Sequence, residues 1–101
     1  MYGVKLLGVG KAVPKYCMTN EDMSKVVDTS DEWITSRTGI SQRYLSTGES
    51  TTDLAVTAAK EALERANINA SDIDLIIVAT ITPDYVMPSV ACRVQAAIGA
   101  G

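Results

Sequence analysis

The chain is 101 residues long, 47% of them hydrophobic, with a formal net charge of -3. That composition describes one globular domain or part of one and excludes a disordered chain. The acidic balance and the lack of any basic run exclude nucleic acid as a partner, because phosphate binding needs clustered Lys and Arg.

From the N-terminus, Val4 to Val13 is rich in Val and Leu and is closed by Pro14. It reads as a strand, with Gly8 and Gly10 marking either a bulge or a close backbone approach. Thr19-Asn20-Glu21-Asp22 is a helix-start signal, with Thr19 as cap and Asp22 three residues on. Met23, Val26 and Val27 give that short helix an apolar face. A second start follows, in which Thr29 or Ser30 caps and Asp31 and Glu32 place negative charge in the first turn. Trp33, Ile34 and Arg37 lie on this helix, and Gly39 ends it as a left-handed residue would.

Ile40 to Ser46 alternates loosely and reads as a strand. Ser50 to Asp53 forms another capping box, and behind it Leu54, Ala55, Ala58, Ala59, Ala62, Leu63 and Ala66 recur at helical spacing. So many alanines on one face predict tight packing against another helix or a sheet, with Lys60, Glu61, Glu64 and Arg65 solvated opposite. Leu75 to Ala79 is a continuous apolar run typical of a strand buried on both faces of a parallel sheet. Thr82-Pro83-Asp84 turns the chain. A last helix starts near Pro88 and Ser89, Pro88 suiting a first-turn position. It buries Val90, Ala91, Val94, Ala97 and Ile98 and ends at Gly99.

Helices alternating with apolar strands predict an α/β fold, a layered arrangement with a mixed sheet flanked by helices. In such an alternation a strand should follow the last helix, so the chain reads as truncated after Gly101. The longest apolar run falls far short of the ~20 residues that span a bilayer, and MYGVKLLGVG shows neither a charged leader region nor a cleavage site. No membrane partner is expected.

The chain has no histidine and two cysteines, Cys17 and Cys92, without CxxC spacing. A four-ligand zinc site cannot be assembled, so no metal is expected. The two thiols either stay reduced, as small hydrophobes of a cytoplasmic protein, or form a single disulfide. Without His, the commonest general base is missing and neither a Cys–His nor a Ser–His couple can form within the chain. No catalytic residue is assigned.

The segment Thr29 to Ile40, TSDEWITSRTGI, strongly resembles the signature segment of the β-ketoacyl-acyl-carrier-protein synthase III family. Flanking stretches match in order: Asn20 ahead of Val27-Asp28-Thr29, the IIVAT run Ile76 to Thr80, and Met87 to Gln95. The resemblance spans essentially the whole chain and makes residues 1–101 the incomplete N-terminal portion of a thiolase-like ketoacyl synthase domain, within the first of its two duplicated halves. It implies an acyltransferase that joins an acyl-CoA primer, commonly acetyl-CoA, to malonyl-acyl carrier protein with loss of carbon dioxide. That reaction begins fatty-acid elongation, in a cytoplasmic homodimer, with coenzyme A thioester as substrate and no separate cofactor.

The resemblance also implies roles for particular residues. Trp33 and Arg37 are spaced i,i+4 and share a helix face. An indole can stack on adenine, and a guanidinium can pair with phosphate or stack. By resemblance they contact the nucleotide end of coenzyme A, with Thr29 assisting. Spacing alone would make the tryptophan a core residue and the arginine merely solvated. Where the family commonly has a Phe that crosses the dimer into the partner's acyl pocket, this chain has Met87, and it contains no Phe at all. A flexible thioether would admit longer or branched primers; the alternative is plain interface or core packing.

Cys92 lies within the last predicted helix, on or near its buried face, and lacks the Ala-Cys-(Ala/Ser)-Gly-type turn of the family's nucleophile. Cys17, in the loop Lys15 to Met18, lacks it as well. The residues shown are therefore expected to be inactive alone. The rival readings are another thiolase-fold synthase, such as a hydroxymethylglutaryl-CoA or polyketide starter synthase, and a stand-alone module that binds coenzyme A or acyl carrier protein without chemistry.

Overall fold

The computed structural model describes residues 3–101; the first two residues of the MYGVKLLGVG stretch lie outside the described part. The chain divides into two compact units, one of residues 13–48 and the other of the flanking segments.

In the 13–48 unit, β1 (Tyr16–Thr19) runs straight into α1 (Asn20–Ser24). Thr19 caps α1 through a complete capping box: its hydroxyl accepts from the Asp22 N–H at 3.1 Å, and the Asp22 carboxylate accepts from the Thr19 N–H at 3.1 Å. α2 (Asp31–Thr38) follows, capped by Ser30, whose hydroxyl accepts from the Trp33 N–H at 3.1 Å. It is closed by Gly39 at φ 73°, where a side chain would be strained. β2 (Gln42–Leu45) then returns antiparallel to β1, with Cys17 opposite Tyr44 and Met18 opposite Arg43.

Two expectations change here. The Lys15 to Met18 stretch is mostly strand, not loop, because β2 supplies it with a ladder partner. α1 is only five residues long, so Val26 and Val27 fall past its end and are exposed. The Val-Val-Asp-Thr-Ser sequence there combines β-branched residues with short polar ones that compete for backbone hydrogen bonds.

The unit is organised around one polar side chain. Asn20 is 1% exposed. Its Nδ2 donates to Asp31 Oδ1 at 2.8 Å, to the Ile40 carbonyl at 2.7 Å and to Thr35 Oγ1 at 3.3 Å. Its Oδ1 accepts from Arg43 Nη2, and its backbone N–H donates to the Ser41 carbonyl at 3.1 Å. Arg43 Nη1 also reaches the Met18 and Thr19 carbonyls.

In the other unit, α3 (Thr51–Ala66) is capped by Ser50 in a second complete capping box and ends at Asn67, in the left-handed region at φ 55°. Leu54, Ala55, Ala58, Ala59, Ala62, Leu63 and Ala66 are all half-buried, as their spacing predicts. A short 3₁₀ turn follows at Ala70–Asp72. α4 (Val90–Ile98) packs on α3, burying Val90 and Val94. Ala97 is exposed, so the buried stripe is narrower than the sequence suggests. Ser89 is the cap, which leaves Pro88 before the helix and not within its first turn.

The N-terminal segment meets α3 at its glycines. A β-carbon on Gly10 would lie 2.0 Å from the Ala58 carbonyl oxygen, and one on Gly8 would lie 2.8 Å from that of Ala62. Of the two readings of these glycines, close backbone approach is the one that holds.

Among the described residues the expected parallel strands are not formed. Neither 4–13 nor 75–79 joins a ladder, and the two-stranded antiparallel β1–β2 pair is the sheet among the described residues. Leu75 is 75% and Ile77 81% exposed. A run of this composition becomes a buried strand only when neighbouring strands satisfy its backbone and helices cover both faces; among the described residues no strand pairs with it and one face alone is covered, Ile76 and Val78 being half-buried while Leu75, Ile77 and Ala79 are exposed. The α/β class stands; among the described residues the sheet is limited to the β1–β2 pair.

Substitutions at Gly8, Gly10 and Asn20 test this account. Gly10→Ala should destabilise by about 1–3 kcal/mol or more, since the obstacle is helix backbone that cannot swing aside. Gly8→Ala should cost less, and chemical denaturation would rank the two. Asn20→Ala should cost about 2–4 kcal/mol, because several buried partners lose their hydrogen bonds together. Asn20→Asp should be no better, because it sets a carboxylate against Asp31 and a carbonyl.

Candidate functional site

The first candidate surface is the exposed side of α2. Its ends are charged in the sense the helix dipole favours, with Asp31 and Glu32 in the first turn and Arg37 in the last. Hydroxyl groups also hold the helix from outside: Thr35 Oγ1 donates to Asp31 Oδ1 at 3.1 Å, and Thr38 Oγ1 to the Ile34 carbonyl at 2.7 Å. Together with Asn20, these contacts fix a short helix that packs little of its own apolar surface.

Trp33 is 56% exposed and is not a core residue. The Arg37 guanidinium carbon lies 5.5 Å from the centroid of its ring, a cation–π arrangement. The i,i+4 spacing thus brings the two side chains into contact. Thr29 is half-buried one residue before the cap. Together with Asp28, Ser30 and Trp33 it lines a hollow of about 320 Å³. A neighbouring hollow of about 420 Å³, also touching Thr29 and Ser30, is walled by polar residues that include Glu21, Asp31 and Ser41. The sequence-predicted trio is therefore adjacent: an open aromatic face, a cation over it, and a hydroxyl at the edge of the hollow beneath.

Met87 belongs to the other unit, on the loop between residue 81 and α4. It is 84% exposed and joined to Pro88 by a cis peptide bond. The two thiols are free. Cys17 lies in β1, and Cys92 is exposed on α4 rather than turned into the packed face. No cluster of metal-ligating side chains occurs among the described residues, and no helix among them is long and apolar enough to cross a membrane.

Sequence reasoning missed a charged group on the Met87 loop. Asp84 Oδ2 accepts from Arg93 Nη1 at 2.7 Å, and Asp84 Oδ1 accepts from the Thr52 N–H at 3.2 Å. The guanidinium carbon of Arg93 lies 5.1 Å from the Tyr85 ring centroid. The Thr52 hydroxyl is the leading influence that holds the Asp84 carboxyl below its ordinary range; the Thr52 N–H, Ser50 and Arg93 add to it, while desolvation opposes them. Nothing in the local sequence pattern marks Asp84 as a partner of Arg93, because the contact is made by the fold.

The chain is 58% identical over 100 residues to a β-ketoacyl-[acyl-carrier-protein] synthase III of Clostridium acetobutylicum, and 54% to that of Clostridium novyi, in each case across 99% of this chain and 31% of the relative. It superposes on the crystal structure of 3-oxoacyl-[acyl-carrier-protein] synthase III from Aquifex aeolicus with a TM-score of 0.92 at 52% identity, over 97% of this chain and 32% of that one. This chain matches β-ketoacyl-acyl-carrier-protein synthase III. The chain spans about a third of the length of the synthase III proteins it matches. A priming β-ketosynthase of the R1128 polyketide pathway is also similar in structure, with a TM-score of 0.90 at 32% identity. No protein-family model matches the chain.

A pH prediction follows from Asp84. Its folded value is depressed, so its contribution to stability is fully present above the unfolded carboxylate value. That contribution is lost as pH falls through the lower, folded value. Denaturation midpoints measured from neutrality into acid should fall less steeply in Asp84→Asn, which starts lower, than in the unchanged chain.

Proposed function

We propose that this chain supplies the coenzyme A entrance of a condensing enzyme that joins an acyl-CoA primer to malonyl-acyl carrier protein with decarboxylation, initiating fatty-acid synthesis. In this reading residues 1–101 are the N-terminal portion of a thiolase-like layered domain, in a cytoplasmic homodimer. The match to synthase III proteins supports the class of reaction. The observation that carries the local role is the exposed Trp33 ring with Arg37 against it, within TSDEWITSRTGI.

Coenzyme A presents a flat purine and several phosphates. The ring offers a stacking surface, and the guanidinium offers charge and planar geometry. Thr29 offers a hydroxyl at the neighbouring hollow. Met87, exposed and flexible, suits an apolar acyl pocket across a dimer. The chemistry itself falls outside these residues: with no histidine among them, they bind and orient a substrate without reacting with it.

A second reading is favoured by the similarity to the R1128 priming β-ketosynthase. There the same entrance would serve a polyketide starter reaction, and the carrier protein accepted by the whole enzyme separates the two.

Trp33 is the one tryptophan of the chain, so its fluorescence reports the site directly. Titration with coenzyme A should quench it saturably, and Arg37→Ala should weaken binding about tenfold, roughly 1.4 kcal/mol. Adenosine, lacking the phosphates, should bind more weakly and be insensitive to Arg37→Ala. Absence of quenching at millimolar coenzyme A would overturn the assignment. The purified chain should show no condensation and no acyl transfer onto itself; either activity would overturn the claim that it holds no chemistry.

A further inference from the structure

We propose that Asp84 is a positioning residue that sets acyl-primer selectivity through Met87, an inference that rests on the acyl-pocket reading of Met87 above. The loop carrying Met87 is tied down on one side only. Thr51 Oγ1 donates to the Thr82 carbonyl at 2.6 Å. Asp84 is gripped by the Thr52 N–H and by Arg93, which itself lies over Tyr85. The Asp84 side chain is only 10% exposed within this grip. Two helices thus hold residues 82–85, α3 by its first turn and α4 through Arg93.

Beyond Tyr85 the restraint stops until Ser89 caps α4. Between them Val86 is 90% exposed and Met87 84% exposed. Met87 therefore has no packing of its own to place it, and its location follows from the backbone on either side. Neutralising Asp84 removes the ion pair and leaves Arg93 without its carboxylate, which frees the upstream half of the loop. A side chain that must enter a pocket in one pose is then presented in several. The effect should fall on discrimination between primers more than on the chemical step.

The test uses the whole protein that carries these residues and measures kcat/KM for acetyl-CoA and for a longer, branched acyl-CoA. Asp84→Asn should change the ratio of the two about three- to tenfold, within the range that pocket contacts command. Met87→Ala should change it as well, and adding Asp84→Asn to Met87→Ala should change it no further, since the two act through one element. Arg93→Lys keeps the charge but not the planar group, so it should give a smaller shift in the same direction and serves if Asp84→Asn does not fold. If Met87→Ala alters the ratio and neither Asp84→Asn nor Arg93→Lys does, the positioning role is overturned while the reading of Met87 stands. If the effects of Asp84→Asn and Met87→Ala simply add, the positioning role is likewise overturned. If Met87→Ala leaves the ratio unchanged, the acyl-pocket reading falls and the inference falls with it. A lower melting temperature with an unchanged ratio would show that Asp84 only stabilises the fold.

Discussion

The 13–48 unit depends on the burial of Asn20. A primary amide out of water must find partners for its donors and acceptor or cost several kcal/mol. Here each partner comes from a different place: the first turn of α2 through Asp31, its middle through Thr35, the turn after it through Ile40, and β2 through Arg43. No stretch of apolar contact has the same effect, since none of the hydrophobic side chains of this unit is fully buried. The orientation of α2, and with it the outward face that carries Trp33 and Arg37, is set by polar geometry. Hydrogen bonds are directional in a way that apolar packing is not. A small unit can therefore hold a binding helix in one pose with little core.

The other unit solves its packing by removing side chains. Alanines on α3 let α4 sit close on one side, while Gly8 and Gly10 let the N-terminal segment lie against the helix backbone on another. Close approach of this kind is intolerant of added volume, because the obstacle to a new β-carbon is a carbonyl oxygen or an amide nitrogen. The charged group around Asp84 ties an irregular loop to the first turn of α3 and to α4. Its polar bonds replace the shape complementarity that the alanines provide elsewhere.

What the sequence revealed follows from the range of the interactions. Thr19, Ser30 and Ser50 cap their helices through side-chain bonds of the kind the sequence predicts, whereas α4 is capped by Ser89, one residue later than a first-turn Pro88 would allow. Gly39 and Gly99 close their helices in the left-handed conformation for the same local reason. Trp33 and Arg37 could be paired from spacing because helical periodicity fixes their separation. The strands were less legible. The loose alternation of 40–46 located β2, but β1 carries no pattern of its own and exists because β2 lies beside it. Leu75 to Ala79 has the composition of a buried strand, yet composition states a preference and pairing decides the outcome. Asn20 and the Asp84–Arg93 pair were invisible because their partners lie 9 to 23 residues away and no short-range rule links them.

The separation between binding and chemistry has a physical logic on the proposed reading. The nucleotide end of coenzyme A does not change during acyl transfer, so contacts to it favour ground state and transition state alike. Alone, such contacts lower KM and do nothing for the chemical step. They become catalytic only when the energy gained there is used to hold the distant thioester against a nucleophile. Trp33 with Arg37 suits the binding role, because the pair is already stacked and little side-chain freedom remains to be lost when a purine arrives. The chemical role requires a thiolate, a proton carrier and an oxyanion site in fixed register. A sequence with no histidine holds neither a Cys–His nor a Ser–His couple of its own. A stretch of this kind contributes to catalysis to the extent that its rigidity is passed on, which is why the polar fixation of α2 matters more to function than any single contact made by Trp33.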